Sequence, residues 1–214
     1  ERELRAAGVL TDDPPLAIDG VQLRTTRDVA DGVLLLSLPR ELVLRKDSAQ
    51  EGELLAYLDP PDGRAPAGLP HWAELPDAFV LCLQLLLLRR RPPDGASAAA
   101  ESPAAGGRAE AVWRGWLELA PTQLHGIAHW TPDERAWLEG AAAADGADSA
   151  DGARESAPLL AALRRAAPEV FGAMDETALV DAAAIIAAHS LTPPFANGPM
   201  LLPLPHLCLS HDSN

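Results

Sequence analysis

Lysine, tyrosine and cysteine are nearly missing from this sequence of 214 residues, which holds one lysine (Lys46), one tyrosine (Tyr57) and two cysteines (Cys82 and Cys208). Two thiols set in apolar runs cannot build a disulfide framework, so reduced, buried cysteines in a reducing compartment are expected. No run of eighteen apolar residues occurs, the longest candidate being Ala78 to Leu88, and a transmembrane helix is therefore not expected. No signal-peptide pattern opens the sequence, as in a processed or trimmed form. Positive charge is also scarce: 17 Lys and Arg face 31 Asp and Glu, a net charge of -14. A surface of that sign repels phosphates unless it hides a basic stripe, so direct nucleic-acid binding is not expected. The preference for arginine over lysine, beside abundant alanine, reads as coding bias.

What is present falls into an ordered pattern. A chain of this length buries one good core, or one core with an inserted helical lobe. Residues 1–17 form an N-terminal segment, of which residues 1–15 are charged and end in Asp-Asp-Pro-Pro, a short helix followed by a stop. Residues 18–46 alternate apolar and polar side chains and are broken at Asp28 and at Asp31-Gly32, which predicts two or three short strands in a β-meander. Arg24 and Arg27 on those strands read as a solvated face, with ligand contact as the alternative. Residues 47–190 should be mainly helical. A short piece covers Glu51 to Leu58, and PDAFVLCLQLLLLRRR from Pro76 predicts a helix that is apolar on nearly all sides. Such a helix must be buried on nearly all sides, within this chain or against a partner. Its Arg89 to Arg91 run suits a helix C-terminus, with a docking patch as the second reading.

Two Ala, Gly, Ser and Asp tracts, 92–110 and 141–157, should be mobile surface insertions, because neither carries enough apolar surface to offset its ordering entropy. Between them, Trp113, Trp116, Leu117 and Ala120 share a helical face that Pro121 ends. Thr131-Pro132-Asp133-Glu134 is an N-terminal signature for a second helix carrying Trp137 and Leu138, which suggests a helix pair clamped by aromatics. His125 and His129 have the spacing of zinc ligands on a helix, without an acidic base between them or an evident third ligand. From Asp175, Leu179, Ala182, Ala183, Ile186 and His189 fall at helical spacing and predict a buried helix. Pro193 and Pro194 forbid its continuation, and the run from Met200 to Leu209 reads as an irregular strand. The last residues crowd His206, Cys208, Ser210, His211 and Asp212 together. A metal site at His206, Cys208 and His211 is disfavoured by alternation, which puts His211 on the opposite face from the other two.

Three stretches together resemble the SET-domain lysine methyltransferases, in the branch that includes the RuBisCO large-subunit methyltransferases. The first carries Gly20, Leu23, Arg27-Asp28-Val29, Gly32, Pro39 and Leu42. The second carries Trp113, Trp116, Leu117, Pro121, His129-Trp130, Glu134, Leu138 and Gly140. The third runs from Ala188-His189-Ser190-Leu191 through Pro203 to Ser210-His211. The resemblance implies an α+β fold of small SET-like β-sheets with a large helical insertion, in which residues 191–214 begin the C-terminal SET-like portion, incomplete here. It also implies S-adenosylmethionine as cofactor and methyl transfer to a protein lysine. Cofactor contacts would fall at Gly20, Gln22, His189, Ser210 and His211.

At those positions the sequence departs from the family pattern. The second glycine of the family's Gly-x-Gly turn is Gln22, whose side chain would crowd a close backbone approach. The arginine that pairs with the cofactor carboxylate is His189, which cannot make a bidentate fork. Ser210 stands for the asparagine, His206 for the motif aspartate, and no tyrosine follows for the transfer channel. Two readings of function follow. In one the chain is a SET-like module that has lost methyl transfer and serves as a binding or scaffold subunit of a larger hetero-complex. In the other it is an active S-adenosylmethionine-dependent protein-lysine N-methyltransferase. The branch includes plastid enzymes, so a chloroplast location is expected, with cytoplasm or nucleus as alternatives.

Overall fold

The computed structural model describes residues 16–19, 22–35, 37–51, 53–58, 60, 67–90, 106–119, 130–137, 152–192 and 198–203. Strands β1 (Leu16–Asp19) and β2 (Gln22–Thr25) pair antiparallel, with Asp19 opposite Gln22. Helix α1 (Glu53–Leu58) follows two short 3-10 segments, Arg40–Leu42 and Lys46–Glu51. A third such turn, Trp72–Glu74, leads into α2 (Asp77–Arg90). Then come α3 (Gly106–Leu119), α4 (Pro132–Ala136), α5 (Ala157–Ala166), α6 (Pro168–Phe171) and α7 (Glu176–His189). Strands β3 (Ser190–Leu191) and β4 (Met200–Leu201) form a second antiparallel pair, and Leu44 bridges to Leu201 beside it. The described part is thus mainly helical with two small two-stranded sheets, an α+β composition in the coarse sense.

Helix α2 is the centre of the core. Every residue from Phe79 to Leu86 is buried, including Gln84. An all-round apolar helix needs neighbours on all sides, and α2 has them: it packs on α7, on α3 and on the Lys46–Glu51 turn. Burying one such leucine contributes roughly 1.5–3 kcal/mol, so this stretch alone supplies a large share of the apolar driving force. No second chain is required to cover it. The Pro76 carbonyl accepts from the Val80 N–H at 3.1 Å and starts the helix, while Arg89 and Arg90 sit in the last turn, where cations oppose the dipole.

Helix α7 is the buried helix that the spacing after Asp175 predicts, and Asp175 itself caps it. The Asp175 carboxylate accepts from the Ala178 N–H at 2.8 Å, and Leu179, Val180 and Ala182 through Ile186 are buried. At its end Ser190 turns extended, at φ -79° and ψ 152°, and the chain enters β3. Pro168 breaks α5 from α6, with Ala167 between them buried at φ -141° and ψ 72°.

Four expectations need correction. The β-meander is a single hairpin, since after Thr25 the chain makes a turn at Gly32, whose φ is 79°, and then runs from Val33 to Leu35 without regular pairing. Pro39 next heads a 3-10 turn, so the apolar stretch up to Leu44 contributes only the bridge to Leu201. The first strand begins at Leu16, inside the stretch expected to be a charged N-terminal segment. The surface tracts are helical at the ends that are described: residues 106–110 belong to α3, and residues 152–155 form a helical turn with Ala153 and Ser156 buried. Alanine has the highest helix propensity, and small side chains pack closely, so an Ala-rich flank extends a neighbouring helix at little cost. The aromatic clamp also fails at Trp137, which is 88% exposed. Thr131 nevertheless caps α4 as its sequence implies, accepting from the Glu134 N–H at 3.3 Å while Glu134 accepts from the Thr131 N–H at 2.8 Å.

Candidate functional site

His189 is the best-described of the positions that the sequence assigns to a cofactor. It is the last residue of α7, one step before β3, and half-buried. Its imidazole meets the Trp116 ring edge-on, with centroids 5.7 Å apart and an interplanar angle of 87°. Trp116 in turn packs edge-on against Trp113, at 5.3 Å and 77°. Two α3 residues one helical turn apart thus build an aromatic wall, and α7 delivers the imidazole to it. Edge-to-face rings of this kind are worth about 0.5–1.5 kcal/mol beyond area burial. Burial lowers the His189 pKa below its ordinary value, so the ring is neutral at pH 7.

Gln22 opens β2, opposite Asp19 in the hairpin. Gly20, Ser210 and His211 lie outside the described residues, as do His206, Cys208, His125 and His129 with the metal sites that their spacing suggested. Of the positions that the resemblance assigns to a cofactor, His189 is the one that the described residues set against the aromatic wall. Among the described residues no group of three His, Cys, Asp or Glu side chains could hold a metal ion, and no helix is long and apolar enough to cross a membrane.

The arginines at the end of α2 act within the fold. Arg90 Nη2 donates to the Glu169 carbonyl at 3.3 Å. Burial lowers the Arg89 pKa, and Asp181 of α7 opposes that shift. The helix-terminus reading therefore holds for both, and Arg91 lies outside the described residues. Arg27 is exposed. Cys82 is a free, buried thiol whose pKa burial pushes up to about 12, as a structural cysteine should be.

One cluster was not anticipated. Lys46 Nζ donates to the Leu75 carbonyl at 2.6 Å and to the Ala73 carbonyl at 3.0 Å, and it lies 3.2 Å from Asp77 Oδ1. The Trp72 ring centroid is 5.7 Å away, within cation–π reach. The sequence held one signal for it: the only lysine stands beside an otherwise arginine-only cation set. Nothing local linked it to a turn some thirty residues on.

No family model, curated protein or solved structure matches this chain.

Proposed function

We propose that the chain is a SET-domain-like protein that has lost methyl transfer and works as a binding or scaffold subunit of a larger assembly. A plastid complex is the setting that the resemblance implies, with cytoplasm or nucleus as the alternatives. The observation that carries the reading is the state of His189. The family uses an arginine there to grip the cofactor carboxylate, whereas this imidazole is neutral and packed edge-on against Trp116. A neutral ring with one N–H offers no charge and no fork.

Hydrogen bonds to charged groups contribute roughly 1.5–3 kcal/mol, so the exchange of arginine for histidine alone weakens cofactor binding by about tenfold to a hundredfold. Gln22 adds a side chain where the family needs none. Titration calorimetry with S-adenosylmethionine tests the reading, on the unmodified protein and on the double variant His189→Arg, Gln22→Gly. No heat with the unmodified protein is expected. Binding gained only by the double variant would mean that these two positions close the pocket. Micromolar binding by the unmodified protein would overturn the scaffold reading in favour of a protein-lysine N-methyltransferase.

A further inference from the structure

We propose that Lys46 is a cryptic acylation site, whose amine is withheld from acyl donors in the folded chain and whose acylation keeps the Lys46–Glu51 turn parted from α2. An ammonium has three N–H donors, and here three acceptors surround it: the Leu75 and Ala73 carbonyls and the Asp77 carboxylate. The side chain is 16% exposed. Attack on an acyl carbonyl needs that carbonyl to reach the ε-nitrogen, and in this seat the nitrogen is enclosed by its three acceptors and the Trp72 ring. Lys46 must leave the seat to react.

Once acylated, it cannot go back. In the reaction the ε-nitrogen forms a C–N bond to the acyl carbon, the bond from that carbon to the thiolate of a thioester donor breaks, and the nitrogen's proton leaves with the thiol. The product is a neutral amide with a single N–H, which can serve at most one of the three acceptors. The seat joins three separate stretches. Lys46 comes from one, and the Trp72–Glu74 turn with Asp77 at the start of α2 forms another. Gly198 is the third, packed so closely on the Asp77 carboxylate that a Cβ there would collide with it. Since Lys46 is the single lysine of the sequence, a lysine-directed acyl donor has no other side-chain amine to take within these 214 residues.

The probe is N-hydroxysuccinimide acetate at pH 8, with a lysine-containing reference peptide in the same tube and mass spectrometry of the peptide spanning residue 46. In the folded protein Lys46 should react at least about tenfold more slowly than the reference, since opening must break charge-assisted hydrogen bonds. In urea the two rates should match. Asp77→Asn should raise the folded rate severalfold. Lys46→Gln, which copies the neutral acylated side chain, should speed hydrogen exchange over residues 45–51 relative to Lys46→Arg. Equal rates for folded protein and reference would overturn the sealed amine, as would an unchanged rate in Asp77→Asn. Identical exchange in the Gln and Arg variants would overturn the claim that acylation keeps the turn parted.

Discussion

Replacing His189 with phenylalanine separates what the ring contributes by packing from what its proton costs. Phenylalanine keeps an edge-on aromatic against Trp116, whose centroid lies 5.7 Å from the imidazole, but it cannot titrate. Burial lowers the folded-state pKa of His189, so the unfolded chain, with an ordinary histidine pKa of about 6.5, binds the proton more readily. The sign follows from proton counting. Above the unfolded pKa both states are neutral and the contribution to stability is complete. As pH falls from about 6.5 towards the lowered folded pKa, the unfolded state takes up a proton that the folded state refuses, and stability declines. One proton limits the slope to about 1.4 kcal/mol per pH unit. Urea denaturation at pH 7.5, 6.5 and 5.5 should therefore show the unmodified protein losing stability relative to His189→Phe on the acid side, with little change in their difference above pH 7. Comparison within the pair cancels the other titrating groups. A difference that stays constant from pH 7.5 to 5.5 would refute the buried, neutral imidazole, and with it the support for an absent carboxylate clamp.

Two further outcomes concern the core. Leu83, with no exposed surface at the middle of α2, should cost about 2–5 kcal/mol when cut to alanine, measured by the urea midpoint at unchanged m-value. Cys82 should resist iodoacetamide at pH 8.5 until the protein unfolds, because its thiol is buried with a pKa of about 12; rapid labelling under native conditions would contradict that burial.

How far these features were legible follows the range of the interactions involved. Local signals were readable, and the structure carries them in the apolar spacing of α7, at the Thr131 and Glu134 pair, and in the apolar run of α2. Each depends on groups three or four residues apart, and so does the sequence code for it. Of the two or three strands expected, two form, because alternation marks only a candidate strand and a strand exists through its partner. Val33 and Leu34 are 49% and 76% exposed, so the apolar residues that suggested a buried strand have no cover among the described residues. The Lys46 seat was invisible for the same reason, since its acceptors are contributed by residues 73, 75 and 77. At His189 the sequence indicated the exchange of a charged residue for a titratable one. The wall of Trp113 and Trp116 that settles its protonation comes from another helix.

The same division separates the elements by stability. Helices α2, α3, α5 and α7 share one continuous core, whereas β1 and β2 form a two-stranded hairpin, a unit that is marginal in water by itself. Residues 40–51 are tied to that core by a few long-range contacts: the Leu44–Leu201 bridge, the Lys46 seat and the bond from Gln84 Nε2 to the Arg45 carbonyl at 3.2 Å. A two-stranded unit opens at a lower free energy than a packed helical core, so the hairpin should open before α2 and α7. Of the positions at which the resemblance would place cofactor contacts, Gln22 lies on the hairpin and His189 at the end of a core helix.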